Sequence, residues 1–131
     1  MADRKDWKVI EVTQTILGDK GNCFAACLAS IFEIPLEDAF DVNSPDVTEN
    51  NWVRELNKWL RKYDLIYVII HEPSLYKSRH RKQFGYHIIQ GENHAKVGYN
   101  GKIVFDPSPN SKRKMKIGSY GIFVKRFEAK K

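Results

Sequence analysis

Ten consecutive residues, Cys23-Phe24-Ala25-Ala26-Cys27-Leu28-Ala29-Ser30-Ile31-Phe32, constrain this chain more than any other stretch. Their helical projection carries apolar or small side chains on nearly every side, and a helix that is apolar all round is a buried one. The rest of the chain must therefore wrap it. At 131 residues the chain has the length of one domain, 1–131, and is long enough to bury a core without staples. Gly18-Asp19-Lys20-Gly21-Asn22 reads as the turn leading in, with Asn22 at the N-cap position.

The wrapping elements follow from periodicity. Trp7–Val12 reads as a short strand, and Pro35–Phe40 as a short helix with proline in a tolerated first-turn position. Thr48 is the expected cap of an amphipathic helix that sets Trp52, Leu56, Trp59, Leu60 and Tyr63 on one face. From Leu65 onward β-branched and aromatic residues dominate. Leu65–His71, Tyr86–Gln90, His94–Tyr99, Lys102–Asp106 and Gly121–Phe127 read as strands. Helices first and strands later give an α+β class, a central cysteine helix packed on a mostly antiparallel sheet. The longest apolar run, Leu65–Ile70, is far short of the ~18 residues of a membrane span. The charged opening, Met1–Lys8, has no apolar leader region, so a cytoplasmic protein is expected.

Charge is divided unevenly. Residues 1–76 carry 13 Asp/Glu against 8 Lys/Arg, whereas residues 77–131 carry 3 against 14. The basic side chains cluster at Lys77, Arg79, Arg81 and Lys82, and again at Lys112, Arg113 and Lys114. Solvated loops are the plain reading; attraction of an anionic substrate, nucleotide or nucleic acid is the functional one. No finger spacing or aromatic-basic RNA-binding run supports a nucleic-acid module.

Two sulfurs are available, Cys23 and Cys27. Four residues apart on a helix, their Cβ atoms lie too far apart for a disulfide. Cys27 reads as a small core residue. Cys23 opens the helix, where unpaired amides and the helix dipole favour a thiolate, so a lowered pKa and nucleophilic reactivity are expected there. Of the four histidines, His80 falls in a basic loop and His71 ends a strand without an obvious partner. His87 reads as a sheet histidine or a competing base.

His94 opens a strand that turns at Asn100-Gly101, a strong hairpin signal, and returns to Asp106. A two-residue loop would set Ala95 opposite Asp106 and send His94 and Asp106 to opposite faces. A three-residue loop with Gly101 as a bulge would set His94 opposite Asp106. The second arrangement, or an equivalent bulge, is expected, because it lets a carboxylate orient an imidazole that serves a nucleophile.

Gly-Asn-Cys-Phe-Ala-Ala-Cys-Leu-Ala-Ser at a helix start, then His-Ala-Lys-Val-Gly-Tyr and Val-Phe-Asp-Pro, resembles the cysteine helix, histidine strand and acidic strand of papain-like cysteine peptidases. The nearest flavour is that of small bacterial and phage-associated members, of bacteriocin-processing and NlpC-like type. The resemblance spans residues 9–107 and implies a papain-like fold with Cys23 as nucleophile, His94 as base and Asp106 as orienter. It also implies a glutamine upstream of the nucleophile as oxyanion donor, for which Gln14 is the candidate, nine positions before Cys23. Hydrolysis of a peptide, isopeptide or side-chain amide through a thioester is the implied reaction, without a cofactor. Asn22, Tyr86, His87 and the two basic clusters complete the expected substrate-binding set.

Three other readings compete. One is a phosphodiesterase acting on an anionic cyclic nucleotide with the same Cys/His site. The second is a papain-like binding protein without activity. The third is a metal site from Cys23, Cys27, His87 and His94, whose spacing is unlike that of most zinc modules. Oligomeric state is open.

Overall fold

The computed structural model describes residues 11–13, 15, 21–71, 85–91, 94–108 and 117–126. The fold is α+β. Helix α1 spans Cys23–Phe32 and helix α2 spans Trp52–Leu60, with single 3-10 turns at Leu36–Asp38 and Arg61–Tyr63. Among the described residues five strands follow: β1 (Leu65–Ile70), β2 (Tyr86–Gly91), β3 (His94–Tyr99), β4 (Lys102–Phe105) and β5 (Ile117–Lys125). They form one antiparallel sheet in the order β1-β5-β2-β3-β4. Thus β2, β3 and β4 are a meander, and β5 returns to fill the place between β1 and β2.

The all-apolar segment is the centre of the molecule. Ala26, Cys27, Leu28 and Ala29 are wholly buried, and α1 packs across β3 while α2 packs across β1. The amphipathic pattern is realised in α2 with one difference: Leu56 and Leu60 are buried and Trp59 closes on Phe32, but Tyr63, which also packs on Phe32, belongs to the 3-10 turn that follows. Its cap differs from expectation. Asn51 occupies the N-cap position, its Oδ1 accepts from the Thr48 amide, and the Thr48 carbonyl accepts from Trp52. Asn22 does stand at the N-cap of α1, but its side chain makes no capping bond. It is held instead by reciprocal bonds to Thr15, both 2.9 Å long.

Of the expected N-terminal strand, residues 7–10 lie outside the described residues, and Glu11 and Val12 are not in a strand. The Val12 amide donates to Ser30 Oγ, whose hydroxyl in turn donates to the Ala26 carbonyl. That buried serine fastens the entering chain to α1. The strand expected to begin at Gly121 begins earlier, at Ile117, and β4 ends one residue short of Asp106.

One glycine decides how the sheet packs. Tyr67 on β1 lies across β5, over Gly121, and a Cβ at that position would fall within the tyrosine ring. Phe24, Trp52 and Phe123 close around the same ring. Gly121→Ala is therefore expected to destabilise the protein by about 3 kcal/mol, the upper range for overpacking. Urea unfolding of the variant against wild type measures it.

Candidate functional site

The Asn100-Gly101 turn has two residues in its loop, both with positive φ (48° and 88°), and pairs Tyr99 with Lys102. This is the hairpin turn whose twist suits paired strands. The three-residue loop is thus replaced by the tight one, which alone would part His94 from Asp106. The register then slips: Gly98 pairs with Ile103, but Val97 pairs with Phe105. Val104 is the extra residue of a bulge, and from there on side chains of the returning chain change face. Asp106 arrives on the face shared by His94 and Lys96.

The contacts bear this out. His94 Nε2 lies 2.7 Å from Asp106 Oδ1, and Lys96 Nζ lies 3.5 Å from Oδ2. The Ser108 amide also donates to Oδ1, at 3.0 Å. Burial raises the Asp106 pKa, but the Ser108 amide, His94 and Lys96 together outweigh it, and the carboxyl is held below its ordinary value. An ionised carboxylate only accepts hydrogen bonds. His94 Nε2 therefore carries the hydrogen, and Nδ1 is the nitrogen left for proton transfer when the ring is neutral. Lys96 was not singled out from the sequence, although it stands two residues from His94 on a strand and so had to share its face.

Cys23 lines a cleft with His94. The N-terminus of α1, the 41–49 loop, the start of α2 and the β2–β3 corner enclose a cleft of about 520 Å³. Cys23, His94 and Ala95 line it together with Trp52, Glu49 and Gln90. The thiol pKa runs against expectation. Burial pushes it up, and although backbone N–H groups of Ala95, Phe24 and Cys23 itself pull it down, they do not prevail; the Asp106 charge adds to the rise. The helix start supplies the amides the sequence led one to expect, but the depth of the cleft outweighs them. Cys23 rests as a thiol. Cys27 is wholly buried, and burial pushes its thiol well up, as for an inert core residue.

The remaining candidates fall into two groups. Tyr86 and His87, expected to touch substrate, are 6% and 0% exposed and belong to the sheet interior. The Tyr86 ring packs on Tyr99 at 4.8 Å. His87 Nδ1 lies 2.9 Å from the Gly85 carbonyl, and its ring fills the space above Gly98, its cross-strand partner, where a side chain would collide with it. Asn22 is half-buried and occupied with Thr15, next to Gly21 on the cleft wall. Gln14, Lys77, Arg79, Arg81, Lys82, Lys112, Arg113 and Lys114 lie outside the described residues. The 41–49 loop contributes Val42, Asn43, Val47, Thr48 and Glu49 to the cleft wall. Among the described residues no group of three or more His, Cys, Asp or Glu side chains is placed to hold a metal ion. No helix among them is long and apolar enough to cross a membrane.

Burial lowers the His87 pKa, more than the Gly85 bond raises it. The unfolded chain then binds the extra proton first, so stability falls as pH drops below the ordinary histidine value of about 6.5. Between pH 7.5 and 5.5 the wild type is expected to lose more unfolding free energy than His87→Gln. The difference has a ceiling near ~1.4 kcal/mol per pH unit for one proton. Parallel urea titrations at the two pH values read it.

Comparison with known proteins finds no matching family model, no matching curated protein and no matching solved structure.

Proposed function

We propose that this chain is a papain-like cysteine hydrolase that cleaves an amide, peptide or isopeptide bond through a thioester. One observation carries the reading: Cys23, at the first turn of a buried helix, lines the same cleft as His94, whose Nε2 is 2.7 Å from Asp106. A nucleophile, a base and an orienting carboxylate are the three parts that covalent acyl transfer needs.

In this mechanism Nδ1 of His94 takes the thiol proton as the Cys23 sulfur attacks a carbonyl carbon. The tetrahedral oxyanion collapses, the proton passes to the leaving amine, and a thioester remains on Cys23. Water, deprotonated by the same imidazole, then releases the acid and the free thiol. A raised resting thiol pKa suits this order, because the proton moves during attack rather than before it. The lining of the cleft includes Glu49 and, among the described residues, no Lys or Arg. That favours a neutral or cationic carbonyl substrate over a phosphodiester.

The activated ester p-nitrophenyl acetate tests the reading without knowledge of the natural substrate. The expected result is a burst of p-nitrophenolate close to one equivalent, with the acetyl group mapped to Cys23. Release with no burst and no acetyl-Cys23 would contradict it.

A further inference from the structure

Gln90 stands on β2 directly opposite Ala95 of β3. Ala95 faces α1 in the core, and its amide is one of those bonded to the Cys23 sulfur. Cross-strand partners have Cβ atoms about 4.5–5.5 Å apart, so the Gln90 side chain leaves the sheet beside the thiol. It lines the cleft with Cys23 and His94. Its oxygen is already committed: the Tyr67 hydroxyl donates to Gln90 Oε1 at 2.7 Å. Tyr67 is 3% exposed and walled by Phe24, Trp52 and Phe123, and it reaches Gln90 across β5 over the bare Cα of Gly121. Burial also keeps its phenol protonated, hence a donor. A primary amide whose oxygen is fixed this way presents its two N–H donors on its other side, away from Tyr67.

We infer that Gln90 contacts the substrate, its side-chain amide donating to the carbonyl oxygen as that oxygen becomes negative, with Tyr67 as the positioning residue that aims it. The inference rests on the cysteine-hydrolase reading and gives that site an oxyanion donor from β2, distinct from the upstream glutamine implied by resemblance. The backbone N–H of Cys23 is the second donor. Between them an oxyanion receives two preorganised hydrogen bonds.

Two reactions of the same sulfur separate this role from a structural one. In acetylation by p-nitrophenyl acetate, the Cys23 sulfur bonds to the carbonyl carbon, the thiol proton goes to His94, and the C=O pair becomes an oxyanion. That oxyanion re-forms the carbonyl as p-nitrophenolate departs. Alkylation by iodoacetamide displaces iodide at a saturated carbon and passes through no oxyanion. Gln90→Met keeps a neutral, unbranched side chain without an N–H donor. It is expected to slow acetylation about 100-fold, the usual effect of losing one such donor, and to leave alkylation of Cys23 unchanged. Tyr67→Phe keeps the amide but frees it to rotate, and is expected to slow acetylation about tenfold, again without change in alkylation. Acetylation at the wild-type rate in both variants, with Cys23→Ala inactive, would overturn the role of Gln90 and leave the hydrolase reading standing. A burst that survives in Cys23→Ala would overturn both.

Discussion

Cys23→Ala removes the p-nitrophenyl acetate burst, with a loss of about 10⁴-fold or more in ester turnover, and leaves the protein folded. The size follows from chemistry: without the sulfur no thioester forms, and what persists is the weak assistance of hydrogen-bond donors to attack by water. The mild effect on folding follows from position. Cys23 is only half-buried at the first turn of α1, and alanine is the best helix former, so stability should stay within about 1 kcal/mol of wild type. Cys27→Ala reverses the pattern. That thiol is wholly enclosed by the core, and its loss should cost about 1 kcal/mol or more of unfolding free energy while the burst survives. Stopped-flow release of p-nitrophenolate and urea unfolding, run on both variants, separate the two sulfurs. A burst lost in Cys27→Ala and kept in Cys23→Ala would mean that the nucleophile had been misassigned.

His94→Ala is expected to slow acetylation by about 10²–10⁴-fold at neutral pH, the range for loss of a positioned base. Asp106→Asn should fall in the same range by a different route. The imidazole keeps a neighbour but loses the negative charge that fixes its tautomer and stabilises the imidazolium formed during attack. The loss is compounded by Lys96, whose side chain is only 11% exposed and whose ammonium would then lie near the imidazolium without its counter-charge. Because the folded carboxyl has a depressed pKa, its ionised form stabilises the fold above the unfolded value of about 3.9. That contribution disappears as pH falls through the folded value. Asp106→Asn should therefore differ most from wild type in stability at neutral pH and converge with it in strong acid. Equal stability loss at every pH would point to a packing role for Asp106 instead.

How much of this was legible beforehand depended on whether the deciding interaction was local. Helix α1 could be read to the residue because an all-apolar run has only one place to go. The Asn100-Gly101 hairpin could be read because its backbone demands positive φ. The pairing of His94 with Asp106 was expected on chemical grounds, yet the device that achieves it, an extra residue at Val104, has no local signature: Ile103, Val104 and Phe105 are all good strand residues. Asn22 illustrates the opposite limit. It has the right residue type in the right place, and a contact with Thr15 takes its side chain away from the cap. The thiol pKa departs from expectation because a helix start is visible in sequence and burial in a cleft is not. Gln90 and Tyr67 are 23 residues apart and meet only because β5 enters between their strands with a glycine at the crossing point. Nothing in either residue's neighbourhood announces that insertion.

Rates of iodoacetamide alkylation at Cys23, measured from pH 5 to 10 in wild type and His94→Ala, bear most directly on the proposed partnership of sulfur and imidazole. In wild type the profile should carry a limb of substantial reactivity at neutral pH, although burial holds the thiol above its ordinary value. In His94→Ala that limb should vanish, leaving one rise in alkaline solution. Superimposable profiles, each with a single alkaline rise, would show that sulfur and imidazole share a cleft without working together.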